Sequence, residues 1–418
     1  MTPKLIRLVY CLILASLAGC ADIATLLSPP TPAPISQSTS TPQPVQTLTP
    51  TDESTLLAAR VLRLWLPPRF DPNTDTESAK LLKQRLTEFE ETHPGLKIEV
   101  RLKAEEGETS LLNSLSITGV AAPSALPDLI ALPRSDLEAA ASKGLLHPMD
   151  GLSTLLDDPN WYPYARELGH IQNIGYGLPF AGDALVLMHQ PELDITSWDD
   201  IFDSDKALLF SAGDPQALFA LCLYVSAGGE LVNEQGQAIL EEEPLTETLT
   251  LLQQGLEPKV FSPNLLDLKK DEQAFQAYRG GRAAMVIAWL LNYRMTEDGS
   301  MQPIPGLHGT PHIFARGWSW ALAGSEPENQ QVATELAEYL IADDFIKAWL
   351  GDTGYIPTRF SATDEQDTNV KAILESAQVL PSNNVLAVLG PIMSQAVSRI
   401  LSGEQVQVVM ESVMEQFK

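Results

Sequence analysis

Side chains capable of chemistry are plentiful in this sequence, but no catalytic or metal-binding motif organises them. The chain contains no Gly-x-Ser-x-Gly elbow, no His-Glu-x-x-His pair and no Gly-x-x-x-x-Gly-Lys phosphate loop. Asp71, Asn73 and Asp75 imitate the start of a calcium loop. Thr76 stands where that loop requires glycine, and Leu82 stands where it requires glutamate. The sequence therefore offers no catalytic site that a motif would identify, and neither a metal nor a cofactor is expected.

Two histidines, His308 and His312, lie four residues apart in a segment rich in Gly and Pro. This spacing does not predict a zinc site, because further ligands are missing. A glycoside hydrolase needs a particular pair of carboxylates. The chain has 54 Asp and Glu residues, and this number neither identifies such a pair nor excludes one. A secreted glycoside hydrolase therefore stays as the alternative to a binding protein.

Two arginines occupy positions where an open α/β sheet presents groups to a ligand. Arg69 follows the predicted strand 61–66, and Arg134 follows the predicted strand 128–132. Because ligands bind outside the carboxyl ends of parallel strands, both side chains are candidate binding residues. Solvation at the surface is the alternative interpretation for both of them.

The elements around these arginines alternate between strand and helix. The two predicted strands are compact apolar runs, residues 75–91 place apolar side chains on one helical face, and residues 96–103 alternate apolar and charged side chains. The order βαβαβ, which resumes after Gly182, predicts an α/β protein whose mostly parallel sheets are flanked by helices. The last third of the chain is predicted to be helical.

Composition excludes several classes of function. The chain has 418 residues, of which 44% are hydrophobic and 19% charged, as in soluble globular proteins of two or three domains. Asp and Glu total 54 against 27 Lys and Arg, which gives a net charge of −27. This charge argues against nucleic acid or an anionic lipid surface as a partner of the folded part.

The N-terminus carries an export signature. Lys4 and Arg7 precede an apolar run at 8–17, which has the length of the core of a secretory signal and leads through Ala and Gly to Cys20. These residues resemble the cleavage box of bacterial lipoproteins, so we expect a signal peptide at 1–19 and a lipidated Cys20. The lipid would hold the protein on the outer face of the cytoplasmic membrane. An ordinary cleaved signal is the alternative.

The segment that follows, residues 20–58, is dominated by Pro, Ser and Thr and predicts an extended tether rather than a folded domain. Cys11 would leave with the signal and Cys20 would carry lipid, so Cys222 would remain alone and no internal disulfide is possible. The apolar neighbours of Cys222 predict a buried structural thiol.

Several segments, taken in order, resemble the extracellular solute-binding proteins of bacterial ATP-binding cassette (ABC) importers, in particular those that bind sugars. The matching segments include a helix with a Pro-Gly stop at 89–100, a Gly-Leu-Pro-Phe crossing at 177–180 and an Ala-Gly-Gly loop at 227–236. They continue with a Gly-Arg-Ala-Ala-Met strand at 281–289, a Gly-Trp-Ser-Trp strand at 317–322 and a Gly-Tyr-Ile-Pro turn at 354–359. The usual Tyr-Asn-Lys after the crossing is replaced by His189-Gln190-Pro191, a departure that bears on the ligand class more than on the fold.

The resemblance implies two α/β lobes that exchange the chain at hinge crossings near Ala181, Pro305 and Tyr355. The expected lobes are an N-terminal one and a C-terminal one, made respectively of residues 59–181 plus 306–355 and of residues 182–305 plus 356–418. The implied function is a lipid-anchored receptor that captures a mono- or oligosaccharide by hinge closure and delivers it unchanged to an ABC permease. A monomer without enzymatic activity is expected.

Sugar recognition requires flat apolar surfaces for the C–H faces of the ring and planar groups that hydrogen-bond its hydroxyls. By the resemblance, Trp289 and Trp318 reach the cleft. Trp65, at the end of the first predicted strand, is a further candidate. Packing in the core is the alternative interpretation for all three rings.

The polar part of the predicted ligand-binding set consists of Arg69, Arg134, Asp183, Arg316 and Tyr355. Asp183 lies beside the first crossing, where its carboxylate could accept two hydroxyl hydrogen bonds or could cap the hinge. A polyamine, a glycerophosphodiester and a metal chelate are the alternative ligands to a saccharide. A receptor of this kind could also serve a sensor instead of a transporter.

Overall fold

The structure is a computed structural model that describes residues 60–257, 259–294, 299–324, 326–364 and 368–417. The predicted signal peptide, Cys20 and the tether lie outside the described residues. The strands of the described part are β1 Arg60–Leu66, β2 Leu96–Leu102, β3 Leu129–Pro133, β4 His170–Ile171, β5 Ile174–Gly175, β6 Gly177–His189, β7 Leu208–Leu209, β8 Met285–Trp289, β9 Ser300–Gln302, β10 Ile313–Leu322 and β11 Ala377–Val379.

The helices surround these strands on both faces. They are α1 Glu77–Thr92, α2 Leu111–Ala121, α3 Arg134–Ser142, α4 Pro163–Gly169, α5 Trp198–Asp203, α6 Leu218–Ser226, α7 Glu242–Gln254, α8 Asp271–Arg279, α9 Leu290–Arg294, α10 Pro327–Tyr339, α11 Asp343–Thr353, α12 Thr368–Ser376, α13 Asn383–Leu401 and α14 Val406–Met414.

One mixed sheet connects the two halves of the described chain. Its order is β2-β1-β3-β10-β6-β8-β7, with β11 beside β10 and β9 beside β6. The pairs β1–β2, β1–β3 and β7–β8 are parallel, whereas β10 and β6 run antiparallel to each other and to their neighbours β3 and β8. The predicted α/β class is confirmed, and the antiparallel pairs arise where the chain returns between the halves.

The first βαβ unit shows how the sequence pattern becomes structure. The side chain of Thr76 accepts a hydrogen bond from the backbone N of Ala79 and caps α1. Leu82, Leu86 and Phe89 then recur at helical spacing and bury one face against the sheet. Each such burial contributes about 1.5–3 kcal/mol. The helix lies within two residues of the predicted range 75–91.

Strand β6 is the longest strand, and all of its residues are buried. It pairs with β10 over Gly177–Ala184 and with β8 over Leu185–His189, so one continuous strand passes from one half of the sheet into the other. Beside this passage, the backbone of Gly182 exchanges two hydrogen bonds, of 2.8 and 2.9 Å, with that of Ile356. Two segments that are distant in sequence therefore run side by side between the halves.

Two hydrophobic cores flank the sheet. The first contains the side chains of β1, β3 and β10 together with those of α1, α3, α4, α10 and α11. The second is built from α5, α6, α7, α13 and α14 packed on β8. Cys222 is buried in the second core, where its thiol donates to the carbonyl of His312 and burial raises its pKa to about 12. This thiol is structural, as predicted.

Candidate functional site

A cavity of about 390 Å³ lies where the two cores meet. This volume falls within the range of about 300–1,000 Å³ that is usual for small-molecule sites. Residues of both halves line it, from β10 and β8 to the first turns of α3 and α13. Of the predicted ligand-binding residues, the structure brings seven into its wall: Arg69, Arg134, Asp183, Trp289, Arg316, Trp318 and Tyr355.

Trp65 is the predicted residue that does not line this cavity. Its side chain is 1% exposed inside the first core, because β1 pairs with strands on both sides. The ammonium group of Lys103 lies 4.6 Å from the centroid of the ring. The structure therefore corrects the expectation for Trp65 and places the ring in the core.

Arg69 is held on one side of the cavity by two polar partners. Its guanidinium donates to the hydroxyl of Tyr355 at 2.6 Å and to the carboxylate of Glu105 at 2.7 Å. Burial lowers the pKa of Arg69, but the hydrogen bonds to Glu105 and Tyr355 outweigh this effect and raise the pKa above its ordinary value. The guanidinium is thus a fixed positive group whose Cζ atom lies 5.6 Å from the ring centroid of Trp318.

Asp183 and Arg316 face each other on the two crossing strands, as direct partners in the β6–β10 register. One carboxylate oxygen of Asp183 accepts from the Nε and Nη2 atoms of Arg316 at 3.2 and 3.0 Å. The other accepts from the backbone N of Ala184 and of Leu291 at 3.0 and 2.9 Å. These four bonds occupy the acceptor sites of the carboxylate. These bonds fit the hinge-capping alternative for Asp183, which also lines the cavity.

Burial raises the pKa of Asp183, against the opposing effect of the Arg316 charge. The carboxylate is 1% exposed, whereas 40% of the Arg316 side chain is accessible. Arg316 thus presents its free face to the cavity while its other edge is fixed by a buried anion. That arrangement suits a group which donates hydrogen bonds to a bound molecule.

The two tryptophans of the cavity belong to different cores, Trp289 to the second and Trp318 to the first. The guanidinium of Arg316 lies 3.9 Å from the centroid of Trp289, and Phe70 packs edge-on against Trp318 at 5.2 Å. The rings are only 3% and 6% exposed. In this conformation the arginines cover the indoles, so guanidinium groups form more of the cavity surface than bare aromatic faces do.

Arg134 is the first residue of α3 and lines the cavity, and no residue in the described part of the chain forms an ion pair with it. Its Nε and Nη1 atoms are buried and have no hydrogen-bond partner within the described residues. Burial lowers the pKa of Arg134, opposed by the charges of Glu138 and Glu167. A buried donor without an acceptor is destabilising by about 1–3 kcal/mol, so Arg134 has free donors for a ligand at this wall.

Sequence reasoning missed the carboxylates of the cavity. Glu105 and Glu106 follow the end of β2, Asp136 and Glu138 lie in α3 behind β3, and Glu272 lies in α8. The rule that identified the arginines, a position just past a strand end, would have identified the first two acids as well. Burial raises the pKa of Asp136 to about 6.

A direct contact joins the two halves at the cavity wall. The backbone N of Asn383, at the start of α13, donates to both carboxylate oxygens of Glu138 at 3.1 Å. The Nδ2 atom of Asn383 donates to the carbonyl of Ser135 at 2.8 Å. Because α3 belongs to the first core and α13 to the second, these bonds hold the halves together beside the cavity.

Metal chemistry finds no support at this site. Within the described ranges, no group of three or more His, Cys, Asp and Glu side chains could hold a metal ion. His308 is paired with Glu247 at 2.8 Å, and His312 lies apart in the second core region. The arrangement supplies hydrogen-bond donors, acceptors and aromatic surface, which is the equipment of a binding site.

A family model described as bacterial extracellular solute-binding protein matches residues 84–375, more than half of the chain. This chain belongs to that family. The predicted resemblance is confirmed, and membership of an extracellular family of binding proteins implies an exported protein. No curated protein matches this solute-binding protein in sequence.

Solved structures of low sequence identity share the two-lobed fold of this solute-binding protein. Maltose-bound T. maritima MalE3 matches with a TM-score of 0.64 at 16% identity, over 86% of this chain and 99% of that chain. The cyclic α-maltosyl-1,6-maltose binding protein of Arthrobacter globiformis has a TM-score of 0.70 at 14% identity, over 84% and 96%. An ABC transporter solute-binding protein of Thermotoga lettingae bound with α-D-tagatose has a TM-score of 0.64 at 20% identity, over 86% and 100%.

Proposed function

We propose that this solute-binding protein captures a carbohydrate in the 390 Å³ cavity between its lobes and delivers it to an ABC importer. The observation that carries the proposal is the composition of the cavity wall. Three guanidinium groups, several carboxylates and a tyrosine hydroxyl converge there with two indole rings. Planar charged groups donate or accept pairs of hydrogen bonds, which matches the adjacent hydroxyls of a sugar ring.

The named ligands of the similar structures support a sugar. Maltose, a cyclic maltosyl-maltose and α-D-tagatose belong to three different proteins of the same fold. All of these ligands are neutral and rich in hydroxyl groups. The cavity of this chain offers paired donors and acceptors to such a molecule, whereas a polyamine would be attracted by the carboxylates and repelled by the three arginines.

The lobes of this receptor are residues 59–181 plus 306–355 and residues 182–305 plus 356–418. The passage of β6 between its two partners at Ala184 and Leu185 supports a crossing near Ala181, and the bonds between Gly182 and Ile356 support a second crossing near Tyr355. A ligand that touches both lobes favours the closed state by its higher affinity for that state. No covalent step is required.

Anchoring completes the proposed role. Cleavage before Cys20 and lipidation of its thiol would fix the receptor to the outer face of the cytoplasmic membrane, with the tether of residues 20–58 between lipid and lobes. The receptor would act as a monomer, and two permease subunits would receive the closed lobes. Replacement of Cys20 by serine should move the protein from the membrane fraction to the soluble exported fraction.

The central experiment is a thermal-shift screen of sugars, polyamines and glycerophosphodiesters, followed by calorimetry on each compound that raises the melting temperature. We expect a saccharide to bind, and we expect R316Q to weaken it by about ten-fold or more because a fixed donor pair is lost. The matched control is R399Q, which breaks a surface pair with Glu404 far from the cavity.

Three results would contradict the proposal. A polyamine or a phosphodiester that binds while all sugars fail would replace the ligand class. Release of shorter products from maltotetraose or similar oligosaccharides would point to the secreted hydrolase. Growth on the bound sugar that is unaffected by deletion of the gene would separate the receptor from import.

A further inference from the structure

A second cavity, of about 780 Å³, adjoins the cleft cavity on the far side of Arg134. The two share Arg134, Leu380 and Pro381 in their walls. The second cavity lies among the loop 229–236, strand β11 and the start of α13. The two cavities are therefore neighbours that meet at these three residues.

The wall of the second cavity differs chemically from that of the first. Its apolar side chains include Val232, Phe314, Val379 and Val385, whereas its carboxylates are limited to Glu230 and Glu234 of the loop. The cleft cavity, in contrast, is lined by three arginines and six carboxylate residues, with aromatic rings beneath the guanidinium groups. A molecule that filled both cavities would need one end rich in polar groups and one end that is mostly apolar.

His312 provides an independent sign of a ligand in the second cavity. Its side chain is 6% exposed, it lines the cavity, and its Nε2 atom has no hydrogen-bond partner within the described residues. The ring packs edge-on against Phe314 at 5.0 Å. Burial lowers the pKa of His312 to about 4, so the imidazole is neutral near pH 7 and can donate or accept one bond at Nε2. An unsatisfied buried polar atom of this kind requires a partner, which an ordered water or a polar group of a bound molecule would supply.

We propose that the receptor takes a glycoside whose sugar lies in the cleft cavity and whose apolar aglycone lies in the second cavity, with a polar group of the aglycone at His312. This inference rests on the proposed function, since it assumes a sugar in the cleft. Arg134 lines both cavities, at the place where the two parts of the ligand would join, and its buried Nε and Nη1 atoms have no hydrogen-bond partner within the described residues.

The test compares free glucose and maltose with their methyl, octyl and 4-hydroxyphenyl glycosides, by calorimetry below the micelle concentration of the octyl compounds. We expect the octyl and 4-hydroxyphenyl glycosides to bind about ten-fold or more tightly than the methyl glycoside of the same sugar, because burial of the aglycone adds apolar contact. We expect H312L to reduce the gain of the 4-hydroxyphenyl compounds and to leave that of the octyl compounds, which have no polar group at the far end.

Filling the second cavity tests its location. V232W places an indole in the cavity wall at a valine that is 41% exposed, so the fold tolerates the change, and it should cancel the gain from the aglycone without weakening the methyl glycosides. The matched control is V408W, at a valine of α14 that is 53% exposed and lines neither cavity.

The outcomes separate this inference from the proposed function. If sugars and methyl glycosides bind but neither aglycone adds affinity, or if V232W leaves the gain intact, the inference is wrong and the proposed function stands. If none of the free sugars and none of the glycosides bind, both are wrong. A gain for the octyl compounds alone would remove the role of His312 and keep the apolar cavity as the site of the aglycone.

Discussion

Arg316 lies 3.9 Å from the ring centroid of Trp289 while it binds, from the neighbouring strand, the buried carboxylate of Asp183. The indole, the guanidinium and the carboxylate therefore form one stacked unit at the crossing between the halves. A change in any of the three groups should alter both the shape of the cavity and the stability of the crossing.

Replacement of Asp183 by asparagine tests this unit. D183N keeps an acceptor for the backbone N of Leu291 but removes the charge that pairs with Arg316. We expect the free energy of unfolding to fall by about 2 kcal/mol, because the Nδ2 group of the asparagine would stand as a buried donor opposite the Nε and Nη2 donors of Arg316. This loss exceeds the gain from removing a buried charge whose pKa is raised by burial. Urea unfolding at pH 7 measures the change. The control E404Q breaks an exposed pair with Arg399 and should change stability by less than about 1 kcal/mol. Equal effects of the two variants would contradict the assignment.

Asp136 predicts a dependence of stability on pH. Its carboxyl has a pKa raised to about 6 by burial, whereas an Asp in the unfolded chain titrates near pH 4. The folded state therefore binds this proton more tightly, so the group destabilises the fold above pH 6 and ceases to do so as the pH falls from 6 to 4.

Accordingly, D136N should raise the free energy of unfolding by about 1–3 kcal/mol at pH 8 and change it little at pH 4. Urea unfolding at both values decides this. E328Q, in the exposed first turn of α10, is the matched control and should show no such difference between the two pH values. A stabilisation of D136N that is the same at pH 4 and pH 8 would argue against the raised pKa.

The contact between α3 and α13 predicts how the halves separate. N383A removes the bond from the Nδ2 atom to the carbonyl of Ser135, which joins the two cores. We expect a larger radius of gyration in solution scattering and an affinity for the bound sugar about three- to ten-fold weaker, since a bond between the two halves is lost. N113A removes an equivalent bond, to the carbonyl of Gly107, within one half, and it should leave both measurements unchanged. Identical scattering of N383A and the unaltered protein would show that this bond does not hold the halves together.

Gly182 is the tightest point of the crossing. A Cβ atom at this position would collide with the hydroxyl of Tyr164 and lie 3.1 Å from Ile356. G182A should therefore destabilise the protein by about 1–3 kcal/mol, as overpacking does, and should separate the two crossing segments. G351A makes the same substitution where nothing lies within 4 Å, inside α11, and should stabilise by up to about 1 kcal/mol. Chemical unfolding of both variants measures the difference. A neutral effect of G182A would mean that the strands can shift without loss.

Much of the architecture was accessible from the sequence, because it rests on periodicity. The apolar spacing in α1 and the compact runs of β1 and β3 determine both the element type and the buried face. The segment at β11 lies in the last third of the chain, which was predicted to be helical, and it forms a strand because it pairs with Ile313–Ala315 of β10. Pairing between distant segments overrides local propensity, and single-sequence patterns do not contain it.

The candidate site was predictable in its members but not in its contacts. Strand ends and family motifs identified Arg69 and Arg134. No spacing rule reveals that Arg316 covers Trp289 or that the Asp183 carboxylate accepts hydrogen bonds from backbone N atoms. The structure places Trp65 in the core and not at the ligand site for a related reason. A tryptophan at a strand end faces either a ligand or the core, and the neighbours of β1 in the sheet decide which.

The strands that carry Asp183 and Arg316 are also the strands that tie one half of the molecule to the other. Any twist between the halves must therefore pass through the very peptides whose side chains shape the cavity. Ligand binding and the relative position of the halves therefore depend on the same stretch of backbone. A substitution here that changes ligand selectivity will also change how easily the halves move.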